Sequence, residues 1–352
     1  AFKAQVAIMA ASPAYASAGT FTYEDAAKLA ADCLKKFGGL TACDPDGWKW
    51  FNNKSVIDKL GATTDNPKEI IWRGAIEENN SLEGENYPPS LYGKGRINPT
   101  QNLVDAFPMA NGYPISDANS EYNANDPFAN RDPRLKAYIL VNGDKMGSTD
   151  GVVNSAADSK TTDGLNKENG KSTRTGYYLR KLLRSDINLN PNSTTKQKHL
   201  NARIRSTEIL LDYAEAANEA QGPKANVGGA NYSAYDVIKA IRERAGIGEF
   251  GEDPYLEECA QSKEKMRELI RNERRLELCF ENHRFWDLRR WKANLNEAAK
   301  GINITTDEAT GAFVYKTFDA EERKYDDYMF YGPIPYSEIL KYSNLKQNEG
   351  WK

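Results

Sequence analysis

Histidine and cysteine are scarce in this 352-residue chain: His199 and His283 are the two histidines, and Cys33, Cys43, Cys259 and Cys279 the four cysteines. With so few imidazoles and no CxxC spacing, a zinc site is not expected and a Ser–His–Asp triad has few places to form. No GxSxG, P-loop or dinucleotide-binding glycine fingerprint occurs, which removes the common serine-hydrolase and nucleotide-binding readings. No run reaches the roughly eighteen apolar residues of a membrane span, and no signal peptide is visible. A net charge of −3 leaves no basic footprint for nucleic acid. Cys33 and Cys43 can pair as a disulfide, but two free thiols are the ordinary expectation. Cys279 reads as a small core hydrophobe.

What is present is a globular composition: 39% apolar, 28% charged and 11% aromatic residues, with 19 Tyr and 6 Trp. Tyrosine in excess suits surfaces where one edge of a ring stays wet, and it suits a ring-rich helical core equally well. The length fits one large domain or two ordinary ones.

The densest pattern runs from Ser262 to Trp291. Met266, Leu269, Ile270, Leu276 and Phe280 recur at steps of three and four, the period of one helix face. Glu273 and Glu277 share that face, and so do Arg284 and Asp287 if the helical phase continues. Charges on a core-facing stripe must meet one another, because a lone buried charge is very costly. The expected structure is two helices broken near Asn282, a residue that tolerates the left-handed conformation, pinned together by acid–arginine pairs.

Elsewhere, residues 1–11 and 23–37 read as a helix pair, with Thr22 capping the second helix and small alanines permitting close approach. Leu40 to about Asn98 is irregular, with isolated rings at Trp48, Trp50, Phe51, Trp72, Tyr87 and Tyr92. A loop this long is usually functional or covered by another element. A short helix is expected over 98–109, strands over 135–141 and 177–183, a polar loop over 143–176, and a strong helix pair over 204–220 and 235–245. Trp48 and Trp50 are expected to close the end of the first helix pair, and Trp286 and Trp291 to lie in the helical core.

These stretches resemble the SusD/RagB family of cell-surface glycan-binding lipoproteins. Residues 271–278 with Glu281, Arg284, Asp287, Leu288, Arg290 and Trp291 carry the family's C-terminal signature, with Asn282 where the family usually has Gly. FKAQVAIMAASPAY, NPTQNLVDAF, NRDPRL, the two helices after Arg203, and the ending PIPYSEI with QNEGW follow in family order. The resemblance implies a mainly α fold, with tetratricopeptide-type helix pairs and long irregular loops carrying a few short strands. It is read as one domain over 1–352: a helix pair (1–37), an irregular excursion with the ligand face (38–200), the signature helix pairs (201–292) and a C-terminal wrap (293–352). It also implies that an N-terminal part is absent, which in the family holds the signal sequence, the lipidated Cys and the first helices. The implied function is non-catalytic binding of an oligo- or polysaccharide at the outer membrane, with delivery to a SusC-like TonB-dependent transporter.

Two other functions fit parts of the pattern. Glu273 and Glu277, four apart on a helix, sit about 6 Å from each other, within the separation a glycosidase uses. Crowding by arginines favours the ionised carboxylate, whereas a general acid needs the opposite. The other is a helical-repeat scaffold binding protein or peptide. The expected ligand residues are Trp72, Asn86, Tyr87, Tyr92, Arg96, Tyr113 and Tyr122, because a sugar's C–H face wants a flat ring and its hydroxyls want amides or charges. No cofactor is expected. Asp44-Pro-Asp46-Gly47 begins like a calcium loop but lacks the distal ligands of an EF-hand; Asp126 and Asp132 with nearby carbonyls can hold calcium, but forming turns is their ordinary use.

Overall fold

A computed structural model describes residues 1–61, 64–248 and 252–351. Its helical part is built around Ser206–Gln221, which is buried almost continuously from Ser206 to Asn218. The helices Phe2–Ala11, Tyr23–Lys35, Ala234–Ala245 and Lys263–Glu277 surround it. Alanines make this possible: Ala4, Ala7 and Ala11 meet Ala26, Ala27, Ala30 and Ala31 in one core with Ala214, Ala216 and Ala217. Small side chains let helix backbones approach closely. Phe2 and Val6, which share the N-terminal helix's apolar character, instead face outward, 69% and 44% exposed.

Helix ends follow the sequence. Thr22 accepts from the Asp25 amide at 3.1 Å while Asp25 accepts from the Thr22 amide at 2.9 Å. Ser233 and Asp236 repeat this reciprocal cap, which satisfies two orphan amides. Gly246, at φ +83°, closes the Ala234–Ala245 helix. The signature helix Lys263–Glu277 stops where Phe280 (φ +63°) and Asn282 (φ +67°) turn left-handed, and Arg284–Arg290 begins a new helix.

The rest is irregular chain laid over this body. Ile70–Arg73 pairs antiparallel with Ala202–Arg205, and Glu77–Asn79 with Gln197–His199, forming a bulged ribbon. A second apolar cluster beneath the loops gathers Trp48, Trp50, Phe51, Phe107 and Tyr138. The first two of these therefore anchor the loop half, because the Tyr138 hydroxyl donates to the Trp48 carbonyl at 2.9 Å and holds the segment there. Trp291 is buried, but Trp286 is 52% exposed on the restarted helix.

The segment expected as a strand over 135–141 is mostly the helix Pro133–Tyr138, with Ile139–Leu140 extended. Asp132 caps it by accepting from the Arg134 amide at 2.8 Å, and Pro133 suits the first turn. Only Tyr178–Leu179 is strand within 177–183. The longest strands, Ala299–Thr306 and Phe313–Glu321, form a hairpin in the C-terminal region. Cys33 and Cys43 are free. Among the described residues no helix is long and apolar enough to cross a membrane.

Candidate functional site

The signature charges lie inside the body. Glu273 accepts from Arg134 at 2.9 Å and Arg242 at 2.8 Å. Glu277 accepts from Arg134 and Arg205 at 3.2 Å and from Arg244 at 2.5 Å. All of these side chains are at most 4% exposed. Burial alone would raise both carboxyl pKa values, but the surrounding guanidiniums overcome it and hold both groups below the usual carboxylate range. A proton donor for glycosidic cleavage needs the reverse.

Asp287 pairs in a separate cluster with Arg274 and Arg290, at 2.8 and 2.9 Å. Arg284 does not: among the described residues it makes no ion pair. The left-handed turn at Phe280–Asn282 resets the helical phase, so Arg274 from the preceding helix takes Asp287. Burial without a pairing partner pulls Arg284 down to about 10.

The seven expected ligand residues separate into two groups. Tyr87 is 1% exposed, and its hydroxyl donates to the Arg184 carbonyl. Asn86 is buried and donates to the Leu82 carbonyl at 2.9 Å. Tyr113 is buried against Tyr255, with its hydroxyl donating to Glu258 at 2.8 Å. At Tyr87 the chain at Gly93–Gly95 folds back, the Gly95 amide donating to the Tyr87 carbonyl at 3.0 Å. Tyr122 is half-buried beside the Arg131 guanidinium. Trp72 and Tyr92 are each 58% exposed, and Arg96 holds Glu85 at 2.5 Å. Bulges on either side of Trp72 turn its ring outward.

A cleft of about 550 Å³ opens between the ribbon, the Ser81–Asn86 helix and the turn after the signature helix. Ligand pockets run from about 300 to 1,000 Å³. Its apolar wall is Trp50, Phe51 and Phe280, and its polar rim includes Glu77, Asn79, Asn201, Arg203 and Asn282. Arg96 reaches its edge through Glu85, which lines the cleft; none of the other six expected residues borders it. The Trp50 indole N–H is buried without a partner, as is Nδ1 of His199, whose Nε2 lies 3.0 Å from Glu83. Unpaired buried polar groups favour a ligand or water that satisfies them. Sequence reasoning missed this site because Trp50 and Phe280 carry core-type signals. The usable clue was the left-handed turn expected at Asn282, which brings Phe280 and Asn282 to one edge.

Glu208 also lines the cleft and receives a hydrogen bond from Gln5 at 2.5 Å. Burial, then the neighbouring Asp212 charge, pushes its carboxyl up to about 8. His283, 3.7 Å away, is lowered to about 4, first by burial and then by Arg274. Burial thus favours the neutral form of both. Both oxygens of Asp132, one of the candidate calcium ligands, accept from Arg134. Among the described residues no group of three or more His, Cys, Asp or Glu is arranged to hold a metal.

The SusD family model matches residues 64–351. Two curated relatives, SusD-like proteins P2 and P25 of Formosa agariphila, are 30% identical over 41% of this chain and 28% identical over 67% of it. The chain spans 24% and 42% of their lengths. A crystal structure of a SusD-like protein from Bacteroides fragilis is 25% identical, with a TM-score of 0.63 over 94% of this chain and 65% of that one. A second from the same species, described as a SusD-like carbohydrate binding protein, shares the fold at 22% identity and a TM-score of 0.58, over 88% of this chain and 64% of that one. Signature, fold and family match agree: this chain belongs to the SusD family.

Proposed function

We propose that this protein holds an oligo- or polysaccharide in the cleft between the bulged ribbon and the post-signature turn, and performs no chemistry on it. The observation that carries the reading is the cleft's composition: a ring-bearing wall with a rim of amides, carboxylates and a guanidinium. The half-buried Phe280 ring offers the apolar face against which a sugar can pack, with the buried Trp50 and Phe51 beneath it, and the rim meets its hydroxyls. The carbohydrate-binding description of a structural neighbour is consistent with it. The non-catalytic part rests on Glu273 and Glu277, which are buried and ion-paired.

The surrounding biology follows the family. The protein would sit on the outer membrane through a lipid on a preceding segment and pass its glycan to a SusC-like TonB-dependent transporter. Affinity electrophoresis through gels containing a panel of polysaccharides tests the binding, with Glu77→Ala/Asn201→Ala as the variant. At least one polysaccharide should retard the wild type, and the variant should be retarded less. Release of reducing sugar by the wild type, or equal retardation of the variant, would overturn the reading.

A further inference from the structure

Phe51 borders not only that cleft but a second one of about 560 Å³, whose walls include Phe128, Leu135, Val141 and Met146. Its charges are unbalanced. Lys49, Arg131, Lys136 and Arg180 line it against two carboxylates, Asp132 and Asp144. Both carboxylates are already engaged, Asp132 by Arg134 at 2.7 Å and Asp144 by Arg180 at 3.1 Å. Lys49 and Lys136 are exposed, and neither has an ion-pair partner among the described residues.

Arg131 is the more telling group. It is 7% exposed, yet its terminal nitrogens donate only to the neutral carbonyls of Pro127, Val104 and Phe107, at 2.6–2.7 Å. Its Nε has no partner, and neither has Nε of Arg180. Burial lowers the Arg131 pKa, and the opposing effects, led by Tyr122 and then Asp105, do not overcome it. A buried cation without a counter-anion is costly, and an anion entering the cleft would offset that cost. The protein as a whole is acidic, so this local excess of cations is not a by-product of composition.

We propose that this second cleft binds the anionic substituent of an acidic saccharide, a carboxylate or sulfate on a sugar ring, with Lys49 and Lys136 at its mouth and Arg131 supplying positive potential from its wall. This rests on the glycan-binding reading and names the substrate class. Carboxylate and sulfate share the chemistry that matters, a charged oxygen cluster that attracts ammonium and guanidinium groups.

The test is native electrophoresis of the full chain through gels containing polygalacturonate, a sulfated galactan, or neutral polysaccharides, each referenced to a gel without polysaccharide. Lys49→Glu/Lys136→Glu is the variant, its fold checked by thermal melting. Wild type should be retarded on at least one anionic gel, and the responding gel identifies the substituent. Affinity there should fall roughly tenfold in the variant, with retention on any neutral gel unchanged. Retention on the anionic gel should also weaken between about 10 mM and about 0.5 M salt, as screening shortens the reach of the charges. Retardation on neutral gels alone would overturn this proposal and leave the glycan reading standing. Retardation on no gel would overturn both. A folded variant retarded like wild type on the anionic gel would overturn the proposal.

Discussion

The network around the signature helix and the edges of the two clefts treat charge in opposite ways. In the body, arginines and carboxylates are buried and answer one another: Arg134, Arg205, Arg242 and Arg244 around Glu273 and Glu277, and Arg274 and Arg290 around Asp287. In the loop half, Glu77, Asn201, Lys49 and Lys136 face solvent at the edges of clefts. A charge that is fully paired has no capacity left for a ligand, and one left open at a cleft does. The signature that dominates the sequence therefore marks mainly the frame, and apart from Phe280 and Asn282 the proposed binding groups lie where the sequence is least regular.

The largest break in this comparison comes from removing a frame carboxylate. Glu277→Ala leaves Arg205 and Arg244 short of a counter-charge and should cost about 3–5 kcal/mol of stability, measured by urea unfolding. A loss under about 1 kcal/mol would mean the network is not structural. Tyr87→Ala should cost about 3–5 kcal/mol, because it empties a buried site. Tyr87→Phe should cost about 1 kcal/mol through the hydroxyl's hydrogen bond to the Arg184 carbonyl. Treating Tyr87 as a ligand ring predicts the reverse, lost binding with an intact fold.

The pH dependence sharpens the same contrast within the body. Glu273, Glu277 and Asp287 have folded pKa values below their unfolded ones. Their stabilisation is present above the unfolded carboxylate range and is lost as pH falls through the folded values. Glu208 runs the other way. Its folded carboxyl, pushed up to about 8 from the usual 4.5, keeps its proton where the unfolded chain has released it. Its contribution should therefore fall as pH rises from 4.5 toward 8, opposed below 6.5 by His283, whose pKa is lowered to about 4, and Glu208→Gln should remove that fall. An identical slope in the variant, by melting at several pH values, would contradict the assignment. At the small end, Trp72→Ala removes a ring that is 58% exposed and should change stability by no more than about 0.5 kcal/mol. Whether it weakens glycan retention decides if the ligand extends past the cleft onto the ribbon.

Much of the frame was legible. Thr22, Ser233 and Gly246 announce helix ends through their own chemistry, and the alanine stripes announce close packing. The break after Glu277 was legible from Asn282, but the phase beyond it was not: two residues at positive φ rotate everything that follows, which is why Arg284 left the network. The Ala299–Glu321 hairpin went unread because its outer strand is exposed on both faces and shows no clean alternation. Tyr87 and Tyr113 were misread because a ring in a polar stretch looks wet until the returning chain covers it. Trp50, in contrast, borders the cleft through a fold-back that joins segments about 150 and 230 residues away, which no local pattern encodes.

Amide hydrogen exchange, with and without the polysaccharide that retards the protein most, asks most directly where the ligand sits. Slowed exchange at residues 75–85, 199–203 and 280–283, with the signature helix Lys263–Glu277 unchanged from its slow baseline, is the expected outcome. Protection elsewhere on the surface with these three segments unaffected, or exchange fast enough along the signature helix to show its carboxylates open to solvent, would contradict the assignment.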